Sequence, residues 1–244
     1  MILFLTSSPS GAPDGSEQID GLDERNGFVE KIRSVWPDHA RVLMISAFPQ
    51  DYAAGDQMRA FFADACRGKG LFFDTFDLWD GRTEDSYQLD RYDVVWLGGG
   101  HVPTENSYFR QIHLKEKLRH FDGIVIGISA GTMNCAESVY ALPELAGEGA
   151  DPMYQRFLPG LGLTRLNVIP HFQMLRDFML DHLRVVDDIA CNDSRGQAFL
   201  ALCDGSYVLA AEGTETVYGK AYRIRDGRIE LFCMPEATRP ASEL

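Results

Sequence analysis

The sequence predicts a doubly wound α/β fold of three layers, a mostly parallel sheet between two layers of helices, with an antiparallel β extension at the C-terminal end. Three observations predict it. Short apolar runs that end in turn residues recur along the first two thirds of the chain, as strands buried on both faces do. Stretches with helical spacing lie between them, and parallel neighbours need such crossovers, which their right-handedness distributes over both faces. After Phe199 the pattern changes to β-rich runs joined by glycine turns.

The predicted strands are Ile2 to Thr6, Arg41 to Phe48, Leu71 to Leu78, Asp93 to Leu97, Gly123 to Ile128 and Leu166 to Ile169. Phe28, Ile32 and Val35 share one helical face before the stop at Pro37, and Met58, Phe61, Phe62, Ala65 and Cys66 share another. Asp56 is the expected cap of that second helix and Gly68 its end. Leu175, Phe178, Met179, Leu183, Val186 and Ile189 predict a further helix over Gln173 to Ile189. Beyond it, FLALCDGSYVLAAEG and TVYGKAYRIRDGRIELF read as hairpins, with Asp226-Gly227 the strongest turn signal. Ser7 to Arg25 and the tail after Pro235 read as loosely ordered. With no internal repeat in view, residues 1–244 are expected to form a single domain.

Composition narrows the function classes. The 244 residues carry 36 acidic side chains against 23 Lys plus Arg, a formal charge of −13, so a phosphate backbone or an anionic membrane would be repelled. No nucleic acid or membrane partner is expected. The N-terminal MILFLTSSPSG lacks a basic leader region and reads as a first strand. No run approaches the roughly 18 apolar residues of a membrane helix. The five cysteines are scattered and never adopt CxxC spacing, so reduced thiols in the cytoplasm, no metal and no cofactor are expected.

The chemistry concentrates in Gly127-Ile128-Ser129-Ala130-Gly131, which follows an apolar strand and precedes a helical stretch. Two readings compete. In one, a sharp strand-to-helix turn presents the Ser129 hydroxyl as a nucleophile; in the other the pentapeptide is a tight turn with a capping serine. A serine nucleophile needs a base and a group to orient it. Among the six histidines, His171 follows a strand, where open α/β sheets gather functional groups. His113, His120 and His182 fall in expected helices, and His39 in a turn. Asp204 ends an apolar run and is the first choice for the third member, with Glu137, Glu144, Glu148 and Asp151 as rivals. Gly98-Gly99-Gly100 also ends a strand, and its N–H groups together with that of Ala130 would form an oxyanion hole. A phosphate loop competes for these glycines, but neither G-x-G-x-x-G nor Gly-Lys-Ser/Thr is present.

The order Ser129, His171, Asp204 differs from the Ser, acid, His order of α/β-hydrolases, and no histidine follows His182. LGGG before the middle helix, GISAG, Pro170-His171-Phe172 and the Asp204-Gly205 pair instead resemble the peptidase E (α-aspartyl dipeptidase) family, with its related cyanophycinases. The likeness covers most of the chain. It implies a class I glutamine amidotransferase-like, flavodoxin-like fold and a cofactor-free serine peptidase acting on small peptides. Carried over, it makes Ser129 the nucleophile, His171 the general base and Asp204 the orienting acid, where peptidase E has glutamate. Gly99, Gly100 and Ala130 become the oxyanion donors. Cleavage after aspartate would need a cation, for which Arg176, Arg184 and Arg195 are the candidates. Ser138 to Leu163, between nucleophile and base, reads either as a wall of the substrate entrance or as a solvated connection. Two rivals stand beside the enzyme: a non-catalytic glutamine amidotransferase-like module, and a redox sensor using Cys135 or Cys203.

Overall fold

The computed structural model describes residues 1–10, 21–82 and 87–244. Five parallel strands form the heart of the main sheet: β1 (Ile2–Thr6), β2 (Ala40–Ile45), β3 (Phe73–Trp79), β4 (Val94–Leu97) and β5 (Ile124–Ile128). Between them run α1 (Phe28–Arg33), α2 (Tyr52–Gly68), α3 (Val102–Gln111) and α4 (Leu114–Leu118). Helix α5 (Ala130–Asn134) leads to β6 (Ser138–Tyr140), which pairs with β7 (Phe157–Pro159), and then to β8 (Asn167–Ile169). After α6 (Phe172–Leu175) come the short β9 (Met179–Leu180) and β10 (Leu183–Arg184), a π-helical turn over Val185–Ala190 and α7 (Cys191–Asp193). The remainder is β11 (Ala198–Leu202), β12 (Tyr207–Ala211), β13 (Thr214–Tyr218), β14 (Ala221–Arg225), β15 (Arg228–Cys233) and β16 (Thr238–Pro240).

The eight-stranded main sheet has the order β16-β13-β12-β1-β5-β4-β2-β3, the last five strands parallel and the first three antiparallel. Alternation along the strands buries both faces. Phe4, Val42, Met44, Trp96 and Ile126 pack under α1 and α2, whereas Leu5, Leu43, Val95, Leu97 and Val125 pack under α3 and α4. A second sheet, β15-β14-β11-β8, carries one parallel pair, β8 with β11. Its Phe199, Ala201 and Ile224 pack with α5 and the segment after it. No helix of the described residues is long and apolar enough to cross a membrane.

Several expectations are corrected. The strand at Leu166 to Ile169 forms at β8, but it joins the second sheet rather than the main one. Helix α2 is capped five residues earlier than Asp56, and its start is marked by the Asp51 carboxylate accepting the Ala54 N–H at 3.1 Å. Gln173 to Ile189 is not one helix. Asp181 and His182 both take positive φ, at 51° and 67°, making the two-residue turn that joins β9 to β10. His113, at φ 53°, sits in the corner between α3 and α4 rather than inside a helix, and His120 lies in a turn after α4. The tail after Pro235 docks: β16 extends the main sheet and Ala241 is buried. Within the Ser7 to Arg25 stretch, residues 11–20 lie outside the described residues, while Ser7, Ser10, Leu22 and Asp23 are buried. The hairpin at Asp226-Gly227 is present, with φ of 50° and 77°.

Candidate active site

Ser129 follows β5 directly, with φ 48° and ψ −109°. An L-residue seldom occupies that region and does so at a cost in strain, and the neighbouring glycines explain how it is held. A Cβ on Gly127 would lie 2.8 Å from the Thr132 backbone. One on Gly131 would run into the carbonyl oxygens of Leu97 and Gly98. The turn is pinned further by the Gly131 N–H donating to Gly98 O at 3.0 Å and by the Ser129 N–H, shared between Thr6 O and Ser7 O. The serine therefore stands proud of a rigid corner at the C-terminal end of the sheet.

His171 and Asp204 follow strands of the second sheet. Strands β8 and β11 run side by side in parallel, with Ile169 opposite Ala201, so the residues just beyond their ends are neighbours. His171 takes a left-handed conformation, φ 54° and ψ 33°, which swings its ring toward Ser129. Its Nε2 lies 2.9 Å from Ser129 Oγ and its Nδ1 2.8 Å from Asp204 Oδ1. An acceptor-only carboxylate at Nδ1 places the imidazole proton there, which leaves Nε2 to accept the Ser129 O–H. Asp204 is only 4% exposed, so this hydrogen bond is made away from water. Its backbone N–H donates to Gln173 Oε1 at 3.1 Å.

The rival acids take other positions. Glu137 is exposed, 3.8 Å from Arg165. Asp151 accepts the Met153 N–H. Glu148 bonds His101 Nε2 at 2.9 Å. Although burial opposes it, the N–H groups of Leu145 and Glu144 and the His101 ring hold the Glu148 carboxyl below its ordinary range. Glu144 is the exception, because it lines the cavity that opens at Ser129.

Of the oxyanion candidates, Gly99 lies beside Ser129, where an added Cβ would sit 3.3 Å from Ser129 Cβ. Ala130 is the first residue of α5 and fully buried. An added Cβ on Gly100 would meet Ala47 and Phe48. None of Arg176, Arg184 and Arg195 lines the cavity at Ser129. Arg176 is exposed over the Phe172 ring, Arg184 pairs with Asp187 and Asp188, and Arg195 is exposed. All five cysteines are buried and unpaired. Burial pushes the thiols of Cys135 and Cys203 upward, the latter to about 11, which leaves them little thiolate to react with an oxidant.

Sequence reasoning missed Ser7. This residue is fully buried one position past β1. Its Oγ donates to Asp204 Oδ1 at 2.6 Å and accepts the His171 backbone N–H at 2.7 Å, tying acid and base to the main sheet. The available signal was register: Thr6 pairs with Ile128, so the residue after each strand is level with the other.

Fold and site together define an α/β protein with a serine, a histidine and an aspartate hydrogen-bonded in series at the strand ends. Solved structures share the fold. A peptidase from an acI-B1 Actinobacterium superposes with a TM-score of 0.64 at 13% identity, over 98% of this chain and 96% of that one. A Listeria monocytogenes EGD-e protein, by its name a candidate peptidase E, gives 0.56 at 14% identity over 88% and 96%. No family model matches the sequence, and no curated protein does.

Proposed function

We propose that the protein is a serine-type peptidase that hydrolyses small peptides through an acyl-enzyme. The series Ser129 Oγ, His171, Asp204, with contacts of 2.9 and 2.8 Å, carries this reading. The fold shared with structures named as peptidases supports it. His171 takes the Ser129 proton as Oγ attacks the peptide carbonyl, and Asp204 keeps the ring in the required tautomer. The N–H groups of Gly99 and Ala130 meet the oxyanion. The amine leaves with the proton from His171. Water, activated by the same imidazole, then releases the acid and restores Ser129.

Small substrates suit a cavity of about 200 Å³ at the nucleophile. At ~30 Å³ per water it holds the handful of heavy atoms in one extended side chain. A wider depression of about 750 Å³, bounded by Met1, Leu3 and Leu166, lies at the other end of β1 and contains none of the reacting groups. Five buried, unpaired thiols fit a reducing compartment such as the cytoplasm.

A dipeptide library that includes Asp-X members, with Ser129→Ala as blank, tests the reading together with labelling by a fluorophosphonate. Hydrolysis and labelling should both vanish in the variant. Folded wild-type protein that neither takes the label nor cleaves any member would overturn the proposal.

A further inference from the structure

Glu144 has no part in the proton relay, yet it lines the cavity at Ser129. The other walls are apolar: Met133, Leu142, Met174, Leu175 and Phe178 among them. One carboxyl set among such walls is the complement of an aliphatic stem with a charged tip. The backbone that carries this carboxyl is held in place. The Glu144 N–H donates to Glu148 Oε2 at 2.9 Å, and Glu148 is anchored in turn by His101, itself 2.7 Å from Thr104 Oγ1.

Among the described residues no group donates a hydrogen bond to the Glu144 carboxyl. Burial, and then the nearby Glu148 charge, push its pKa up to about 7 from an ordinary 4.5. The protein thus leaves the acid unpaired beside the nucleophile, and a cation delivered there would supply the missing partner. An aspartyl side chain would meet the Glu144 carboxylate in a cavity that no Lys or Arg lines. Among cations, a compact ammonium suits a single carboxyl, because a guanidinium would leave most of its five N–H donors unmet against apolar walls.

We infer that the cavity beside Ser129 is a specificity pocket for a lysine side chain, its stem against Leu142, Met174, Leu175 and Phe178 and its ammonium on Glu144. This rests on Ser129 being the nucleophile. It sets the substrate class apart from the aspartyl peptides that the family resemblance implies.

The test compares kcat/KM for Lys-X, norleucine-X, Arg-X and Asp-X dipeptides, all with free N-termini, so that the α-ammonium is constant and only the side-chain tip differs. Lys-X should exceed norleucine-X by about tenfold, the gain of a hydrogen bond to a charged group, with Arg-X below Lys-X and Asp-X slowest. In Glu144→Gln the Lys-to-norleucine ratio should fall to about one, and Glu144→Lys should raise Asp-X above Lys-X. A wild-type ratio near one, Arg-X above Lys-X, or a preference that survives Glu144→Gln would overturn the inference while leaving serine hydrolysis intact. If no dipeptide is cleaved the peptidase reading falls. The pocket is then judged by calorimetric titration with lysine amide and norleucine amide, where equal affinity overturns it and tighter binding of lysine amide, lost in Glu144→Gln, supports it.

Discussion

Ser7→Ala removes one hydroxyl from a fully buried position that touches neither the substrate cavity nor the nucleophile's side chain. Two hydrogen bonds go with it, the 2.6 Å donation to Asp204 and the 2.7 Å bond accepted from the His171 N–H. The first is made to an ionised carboxylate and is worth ~1.5–3 kcal/mol. At ~1.4 kcal/mol per factor of ten in rate, a loss of about 10- to 100-fold in kcat follows if the bond serves to hold Asp204 against His171. KM should move little, because the substrate does not meet Ser7. The fluorophosphonate labelling rate of Ser129 reads the same quantity without a substrate and should fall in parallel. Thermal unfolding measured alongside separates loss of folded protein from loss of reactivity. Labelling of folded Ser7→Ala at the wild-type rate would refute the reasoning and reduce Ser7 to a filler of the strand end.

Two further outcomes follow from the same geometry. Ser129→Gly should be more stable than Ser129→Ala by about 1 kcal/mol, since only glycine relaxes at φ 48° and ψ −109°. For a chain of this length that is roughly 2–4 °C in Tm, and equal melting temperatures would argue against strain at the corner. Glu144, whose pKa rises on folding from 4.5 to about 7, makes the folded state the tighter proton binder. Its contribution is fully present below pH 4.5 and is lost as pH rises through 7. At ~1.4 kcal/mol per pH unit, with solvent at the cavity mouth screening part of it, wild type should lose about 2–3 kcal/mol relative to Glu144→Gln across that range. Urea unfolding of both proteins at pH 4.5 and 8 checks this, and parallel pH dependences would contradict it.

The parts of the fold legible in the sequence are those where one physical signal decides. β1, β2, β4 and β5 are mainly apolar runs too short for helices, and Asp226-Gly227 and Glu212-Gly213 form turns that demand positive φ. Residues 173–189 misled because their apolar spacing satisfies a helix, while Asp181 and His182 carry no glycine to announce a left-handed turn. Leu166 to Ile169 was readable as a strand but not as a member of the second sheet, since three paired residues say nothing about which neighbour they choose. Ser129, His171 and Asp204 were found together because each ends an apolar run or sits in a glycine-flanked turn. Ser7 had only a Ser-Ser-Pro-Ser context, indistinguishable from an ordinary turn, and Glu144 lay in a stretch whose polar composition reads equally as connection or wall. Both declare themselves only when distant strands are laid side by side.

Ser129 rises from one sheet and His171 and Asp204 from another, with Ser7 stitched between them. The two sheets share a core, in which Leu5 and Val125 pack in one cluster with Val168, Leu200 and Leu202, so the reach from His171 to Ser129 depends on how that shared core seats one sheet against the other. Loosening β8 and β11 would leave Ser129 in its strained corner while breaking its 2.9 Å contact with His171.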